Sequence, residues 1–204
     1  MYRPEAPPVR ARPAIHPLGL HLWHASGFEY HVRMPQSASN LRIGHGYDLH
    51  RLEPTAPLGT GRGLVIGGVA IPHTHGPVAH SDGDALFHAV TDAVLSAAGL
   101  PDIGQLFPDT DAAHEGKDSA EFLRSAAQRV SSLGFVVVNV DATVVLERPR
   151  VAPHKDAMRG RIAAALGVSI DRVSVKGKTH ERVDAVGEGR AIEVHAVALL
   201  ERLS

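Results

Sequence analysis

The chain has 204 residues, room for one ordinary domain and too few for two comfortable ones. Its net charge of -1 excludes bulk attraction to nucleic acid or anionic lipid, so a polyanionic ligand has to be met by a local site. Cysteine is absent, which excludes disulfides and thiolate metal sites; with 14 histidines present, any metal must be held by imidazole and carboxylate.

Residues 1–40 carry Pro4, Pro7, Pro8, Pro13, Pro17 and Pro35, with Arg3, Arg10, Arg12 and Arg33 between them. No uninterrupted apolar stretch of signal-peptide type occurs, and no run approaches the length that spans a bilayer. The segment is poor in serine for a transit peptide, which favours a bacterial cytoplasmic location over plastid import. We read 1–40 as a disordered extension or an over-long start, with Met34 the alternative first residue, and 41–204 as the folded domain.

Regular patterning begins at Leu41. Leu41 to His50 alternates like a strand, Pro54 to Gly63 reads as a loop, and Leu64 to Ile71 is a second β-rich run. Ser81 to Ala98 has apolar residues at helical spacing (Leu86, Ala89, Val90, Ala93, Val94 and Ala97), with Ser81 and Asp84 forming a capping-box variant. Gly99 and Pro101 end that helix. Gly104 to Gly116 is a loop, and a second helix is expected over Ser119 to Ser132. Val136 to Leu146 is a strand, His154 to Leu166 a third helix, and Arg172 to Lys178 a strand. Gly189 to Leu200 is a last strand with Ile192, Val194, Ala196 and Ala198 on one face. This order predicts an α+β sandwich, a mixed sheet with helices packed on one face.

Asp48 and His50, one residue apart, point to the same side of a strand. Asp84, His88 and Asp92 recur every four residues and read as one polar ridge on the first helix. Strand and ridge together can supply two imidazoles and a carboxylate, leaving an open position as in a catalytic zinc site. A histidine satisfied by a backbone carbonyl at a strand end is the plain alternative for Asp-x-His. His80-Ser81-Asp82-Gly83-Asp84 opens the helix, and its amides are a ready anion site; ordinary capping explains Ser81 and Asp84 equally well, though not His80. His73-x-His75 beside Pro72 and Gly76 reads as an exposed turn, and the histidines before residue 41 get the same reading.

Arg42-Ile43-Gly44-His45-Gly46-Tyr47-Asp48-Leu49-His50, Ile66-Gly67-Gly68-Val69 and Ala79-His80-Ser81-Asp82-Gly83-Asp84 with His88 resemble the 2-C-methyl-D-erythritol 2,4-cyclodiphosphate synthase family. So do Asp102-Ile103-Gly104, Phe107-Pro108-Asp109-Thr110-Asp111 and Asn139-Val140-Asp141. The resemblance runs from Leu41 nearly to the last residue. It implies a phosphorus–oxygen lyase of isoprenoid precursor synthesis that cyclises a CDP-linked substrate with loss of CMP. The implied assembly is a homotrimer with active sites between subunits, with no nucleic acid or membrane partner.

Carried over position by position, the resemblance implies metal ligation by Asp48, His50 and His88, with Asp48 and His50 also contacting substrate. The metal is Zn2+ or another divalent cation. His80 and Thr179 are the implied transition-state stabilisers. Ser81 contacts phosphate, and Asp102, Ile103, Gly104, Phe107, Pro108, Asp109, Thr110 and Asp111 face the methylerythritol part. The nucleotide loop falls on Leu146, Glu147, Arg148, Pro149, Arg150, Val151 and Ala152, with Arg150 where lysine is common. Lys178, Thr179, His180 and Glu181 form the last binding segment, Glu181 being associated with Mg2+ or Mn2+. Departures are Lys178 for a threonine, Ala185 for an aromatic residue, and Glu188 with Arg190 as an exchanged acid–base pair, which leaves an axial isoprenoid-diphosphate cavity open to question. Two rivals remain: a zinc phosphodiesterase using Asp84 or Asp92 as base, and a silent trimer that binds isoprenoid diphosphate. A fused cytidylyltransferase is not expected, because the 40 residues before the domain cannot form that unit.

Overall fold

The computed structural model describes residues 40–108, 110–111 and 115–203, together with the backbone of 21–25 and 28–32. The chain divides into two units at Ser39/Asn40. In the first, β1 (His21–Ala25) and β2 (Phe28–Val32) pair antiparallel, His21 opposite Val32. A hairpin therefore occupies part of the extension for which composition suggested no regular structure.

In the second unit β3 (Leu41–Pro54) is longer than its first alternating stretch and pairs antiparallel with β6 (His75–Pro77) on one side. On the other side it meets β9 (Ala191–Arg202), which pairs antiparallel with β7 (Phe135–Val145). Parallel pairing of β7 with β8 (Val173–Lys178) completes a mixed five-stranded sheet in the order β6-β3-β9-β7-β8. The run at Leu64 to Ile71 does not join this sheet. It folds on itself as a small hairpin, β4 (Val65–Ile66) and β5 (Val69–Ala70), turning through Gly67 and Gly68 at φ 58° and 72°.

The helices are α1 (Ala85–Ala97), α2 (Ile103–Leu106), α3 (Ser119–Ser132), α4 (Lys155–Leu166) and the short α5 (Asp184–Gly187). The loop expected from Gly104 thus begins inside a helical turn. Leu86, Val90 and Val94 of α1 are fully buried, as are Ile192, Val194, Ala196, Ala198 and Leu200 of β9, which form the face expected from their alternation. Each of the leucine, isoleucine and valine side chains among them contributes roughly 1.5–3 kcal/mol when removed from water. The opposite face of β3 stays open: Ile43 is 73% exposed, and Tyr47 and Leu49 are also exposed.

Contact between α1 and β3 depends on two glycines. A Cβ on Gly44 would lie 2.1 Å from the Ala93 carbonyl oxygen, and one on Gly46 would lie 1.9 Å from that of Ala89. The inner side of β3 therefore reads Gly44, Gly46, Asp48, His50. Going up the strand is going back along the helix, so the position after Gly46 meets the turn before Ala89. That turn carries His88.

Candidate metal centre and flanking cavities

Asp48, His50 and His88 come together as their spacing predicts: one donor atom from each lies within 4.8 Å of the other two. Asp48 Oδ2 is 3.0 Å from His50 Nδ1 and 3.1 Å from His88 Nδ1. Burial opposes the charge on Asp48, but the two imidazoles hold its pKa down at about 2. Burial pushes His88 down, yet its bond to Asp48 more than offsets this and the imidazole is raised. His50 Nδ1 is buried, and its 3.0 Å approach to Asp48 Oδ2 lacks the alignment of a good hydrogen bond. Two imidazole nitrogens crowded on one carboxylate oxygen suit a divalent cation of borderline softness.

The expected ridge of Asp84, His88 and Asp92 does not form. Asp84 is the N-cap of α1, so the helix begins at Ala85 and the capping role assigned to Ser81 is incorrect. Gly83, at φ 75°, makes the turn that places it, and a Cβ there would lie 2.4 Å from Pro77 Cγ. Asp84 Oδ1 accepts from the amides of Gly67, Leu86 and Phe87, and Oδ2 from Gly68. Burial pushes its carboxyl up while these donors oppose the shift. First-turn amides expected to greet an anion are thus already engaged. Asp92 accepts from Ile103 N–H at 2.7 Å and so anchors the start of α2, with the charges of Asp48 and His88 close enough to act on it.

His50, His80, Ser81 and His88 line a cavity of about 330 Å³, walled by Ile103, Gly104, Phe107 and Phe122. Phe107 and Phe122 rings stack 4.8 Å apart. His80 Nε2 is buried and unpartnered, while its carbonyl accepts from Arg62 Nη2 and Gly116 N–H. Asp102 caps α2 through Gln105 N–H. Pro108, Thr110 and Asp111 continue beyond α2, and Asp109 lies outside the described residues.

Five of the remaining predicted residues gather elsewhere, while Leu146 and Val151 are buried in the core. Glu147, Arg148, Pro149, Arg150 and Thr179 line a cavity of about 550 Å³ with His73, and none of these residues lines the first cavity. Glu147 Oε2 is buried there without a partner. His73 was expected in a plain exposed turn; it instead shares this wall, and burial lowers its pKa. Thr179 Oγ1 donates to Glu181 Oε1 at 2.7 Å. Glu181, Arg182 and Asp184 all adopt φ between 50° and 63°, a costly run for residues with side chains. Arg190 Nε donates to Glu188 Oε2 at 2.7 Å, so the exchanged pair is joined.

Sequence reasoning missed Ser119 and, although it singled out the segment holding Asp82, the part that its side chain plays. Ser119 is fully buried at the start of α3, with its hydroxyl 2.9 Å from His88 Nε2 and bonded to Asp82. Nothing in the spacing links position 119 to 88; the contact exists because Asp82 N–H and Gly116 N–H zip the two loops together.

The YgbB family model matches residues 41–201. The chain is 49% identical over 168 residues to the chloroplastic 2-C-methyl-D-erythritol 2,4-cyclodiphosphate synthase of Catharanthus roseus, covering 82% of this chain and 69% of that one. It is 52% identical over 161 residues to the Burkholderia ambifaria enzyme of the same name, covering 79% and 96% respectively. A Plasmodium falciparum IspF structure in complex with CDP superposes with a TM-score of 0.70 at 35% identity, over 82% of this chain and all of that one. Fold, metal-ligand cluster and extended similarity agree: the chain belongs to the YgbB family.

Proposed function

We infer that the chain is a 2-C-methyl-D-erythritol 2,4-cyclodiphosphate synthase. It converts 4-diphosphocytidyl-2-C-methyl-D-erythritol 2-phosphate to the 2,4-cyclodiphosphate and CMP. The observation that carries this reading is the convergence of Asp48, His50 and His88 beside a cavity that His80, with a buried unpartnered nitrogen, also lines. In the reaction, an oxygen of the 2-phosphate bonds to the β-phosphorus while the bond to the bridging oxygen of CMP breaks, and that oxygen keeps the electron pair. Nucleophile and leaving group are both phosphates, so neither requires a strong proton-transfer partner. The protein has to align them and neutralise oxygen charge.

Asp48, His50 and His88 hold Zn2+ in this proposal, and Glu181 holds Mg2+ or Mn2+ with the diphosphate. Such ions supply Lewis-acid stabilisation of phosphoryl oxygens. His80 and Ser81 meet the phosphates from the first cavity. Ile103, Gly104 and the aromatic wall enclose the methylerythritol carbons and keep water out. Residues 146–152 and Lys178–Glu181 receive the cytidine diphosphate end, with Thr179 donating to the diphosphate. A hydrolytic reading is weakened because both carboxylates nominated as base, Asp84 and Asp92, are engaged by backbone amides.

The two cavities each hold half of what the substrate needs, which supports a homotrimer in which one subunit's metal side faces its neighbour's nucleotide side. The open, apolar side of the sheet is a surface such an assembly can cover.

Incubating the purified protein with substrate, Zn2+ and Mg2+ tests the reading by phosphorus NMR. CMP and a cyclic diphosphate are expected. CMP with a linear bisphosphate would mean hydrolysis and would overturn it. His88→Ala should lose stoichiometric zinc and reduce cyclisation by orders of magnitude.

A further inference from the structure

We propose that Ser119 and Asp82 are positioning residues that hold His88 in the orientation and tautomer required for metal binding. The inference rests on the metal site assigned above and extends it to residues that touch neither metal nor substrate. His88 turns Nδ1 toward Asp48 and Nε2 toward Ser119, so the ring is gripped from both ends.

The direction of each bond follows from what the partners can do. Asp82 Oδ1 accepts from the Ser119 hydroxyl, which has a single proton to give. Having donated it, the Ser119 oxygen faces His88 Nε2 only as an acceptor. Nε2 must therefore carry the hydrogen, leaving the Nδ1 lone pair for a cation. A carboxylate, a hydroxyl and an imidazole in line make the metal-facing nitrogen more basic and stop the ring turning.

The Ser119 hydroxyl has no competing structural task. Helix α3 is capped by Asp118, whose side chain accepts from Ala120 N–H. Ser81 Oγ also approaches His88 Nε2, at 3.3 Å, but it accepts from Gly83 N–H and has no carboxylate behind it. Asp82 further accepts from the amides of Ser119 and Asp84, so it ties the start of α3 to the turn before α1. The same contacts keep Asp82 satisfied when the Ser119 hydroxyl is removed, so Ser119→Ala should fold.

The test is zinc affinity of the full chain, measured by competition with a chromophoric chelator, alongside urea unfolding of the zinc-free protein. Ser119→Ala is expected to weaken zinc binding roughly 10–100-fold with little change in the unfolding midpoint. Asp82→Asn should weaken it as well, with no further loss when Ser119 is already alanine. Nitrogen-correlated NMR of the imidazole ring should show the Nε2–H tautomer at His88 in zinc-loaded wild type and a mixture in Ser119→Ala. Unchanged zinc affinity in Ser119→Ala, or a loss matched by an equal loss of zinc-free stability, would overturn the proposal. Wild type that binds no zinc would instead overturn the metal site on which it rests.

Discussion

Asp84 illustrates how a buried carboxylate can serve structure beside a metal centre. Its two oxygens gather amide hydrogens from the β4–β5 turn and from the first turn of α1, so one side chain pins a loop to a helix start. In Asp84→Asn the side-chain NH2 would confront an amide donor, and one acceptor would be lost. We expect destabilisation of about 3 kcal/mol, read as a lower urea midpoint, with zinc stoichiometry kept in the folded fraction. An unchanged midpoint would show that the turn holds the helix without it. At this scale the sequence was legible where periodicity is short. Asp48 and His50 share a face because a strand repeats every two residues. Asp84, His88 and Asp92 do not form a ridge, because Asp84 precedes the helix as its cap and Asp92 is engaged by the start of α2. Ser119 could not be found this way, because its partner stands 31 positions back.

Between elements, the decisive contact is that of α1 with β3. Gly44 and Gly46 let helix backbone rest directly on strand backbone, and this sets the depth at which His88 meets Asp48. Gly46→Ala would force the helix outward, because the atom it meets is a main-chain oxygen that cannot rotate away. A loss of several kcal/mol, or failure to accumulate folded protein, is expected, and any folded fraction should bind zinc more weakly than wild type. Calorimetry and zinc titration check both; wild-type values for each would mean that the helix tolerates the shift. The long strands and helices were readable from their periodicity, α3 to the residue. The β4–β5 hairpin and the α2 turn were not, since elements this short are set by what they pack on.

At the scale of the whole molecule, the separation of the two cavities makes a prediction about assembly. If the first cavity of one subunit works with the second cavity of another, inactive His88→Ala and Thr179→Ala proteins should regain activity when unfolded together and refolded as a mixture. A mixture as inactive as its components would argue that each subunit acts alone. The expectation that residues 1–40 are dispensable is tested separately. A protein starting at Met34 should keep cyclisation and zinc content, and a large drop in either would give the extension a role in the folded domain.

The order of strands in the sheet also bears on how the chain is made. β9 lies between β3 and β7, so Leu41 waits for Glu201 and Val136 waits for the same residue. While the polypeptide leaves the ribosome, both earlier strands are present with their central neighbour still unsynthesised. The sheet cannot close before residues 191–202 are made, and β3 must persist until then with bare amide and carbonyl groups along the edge that β9 will cover. Pairings between positions so far apart close slowly. A nascent chain stalled before Ala191 is therefore expected to be digested by protease along its whole length, and resistance should arise in one step once β9 has emerged.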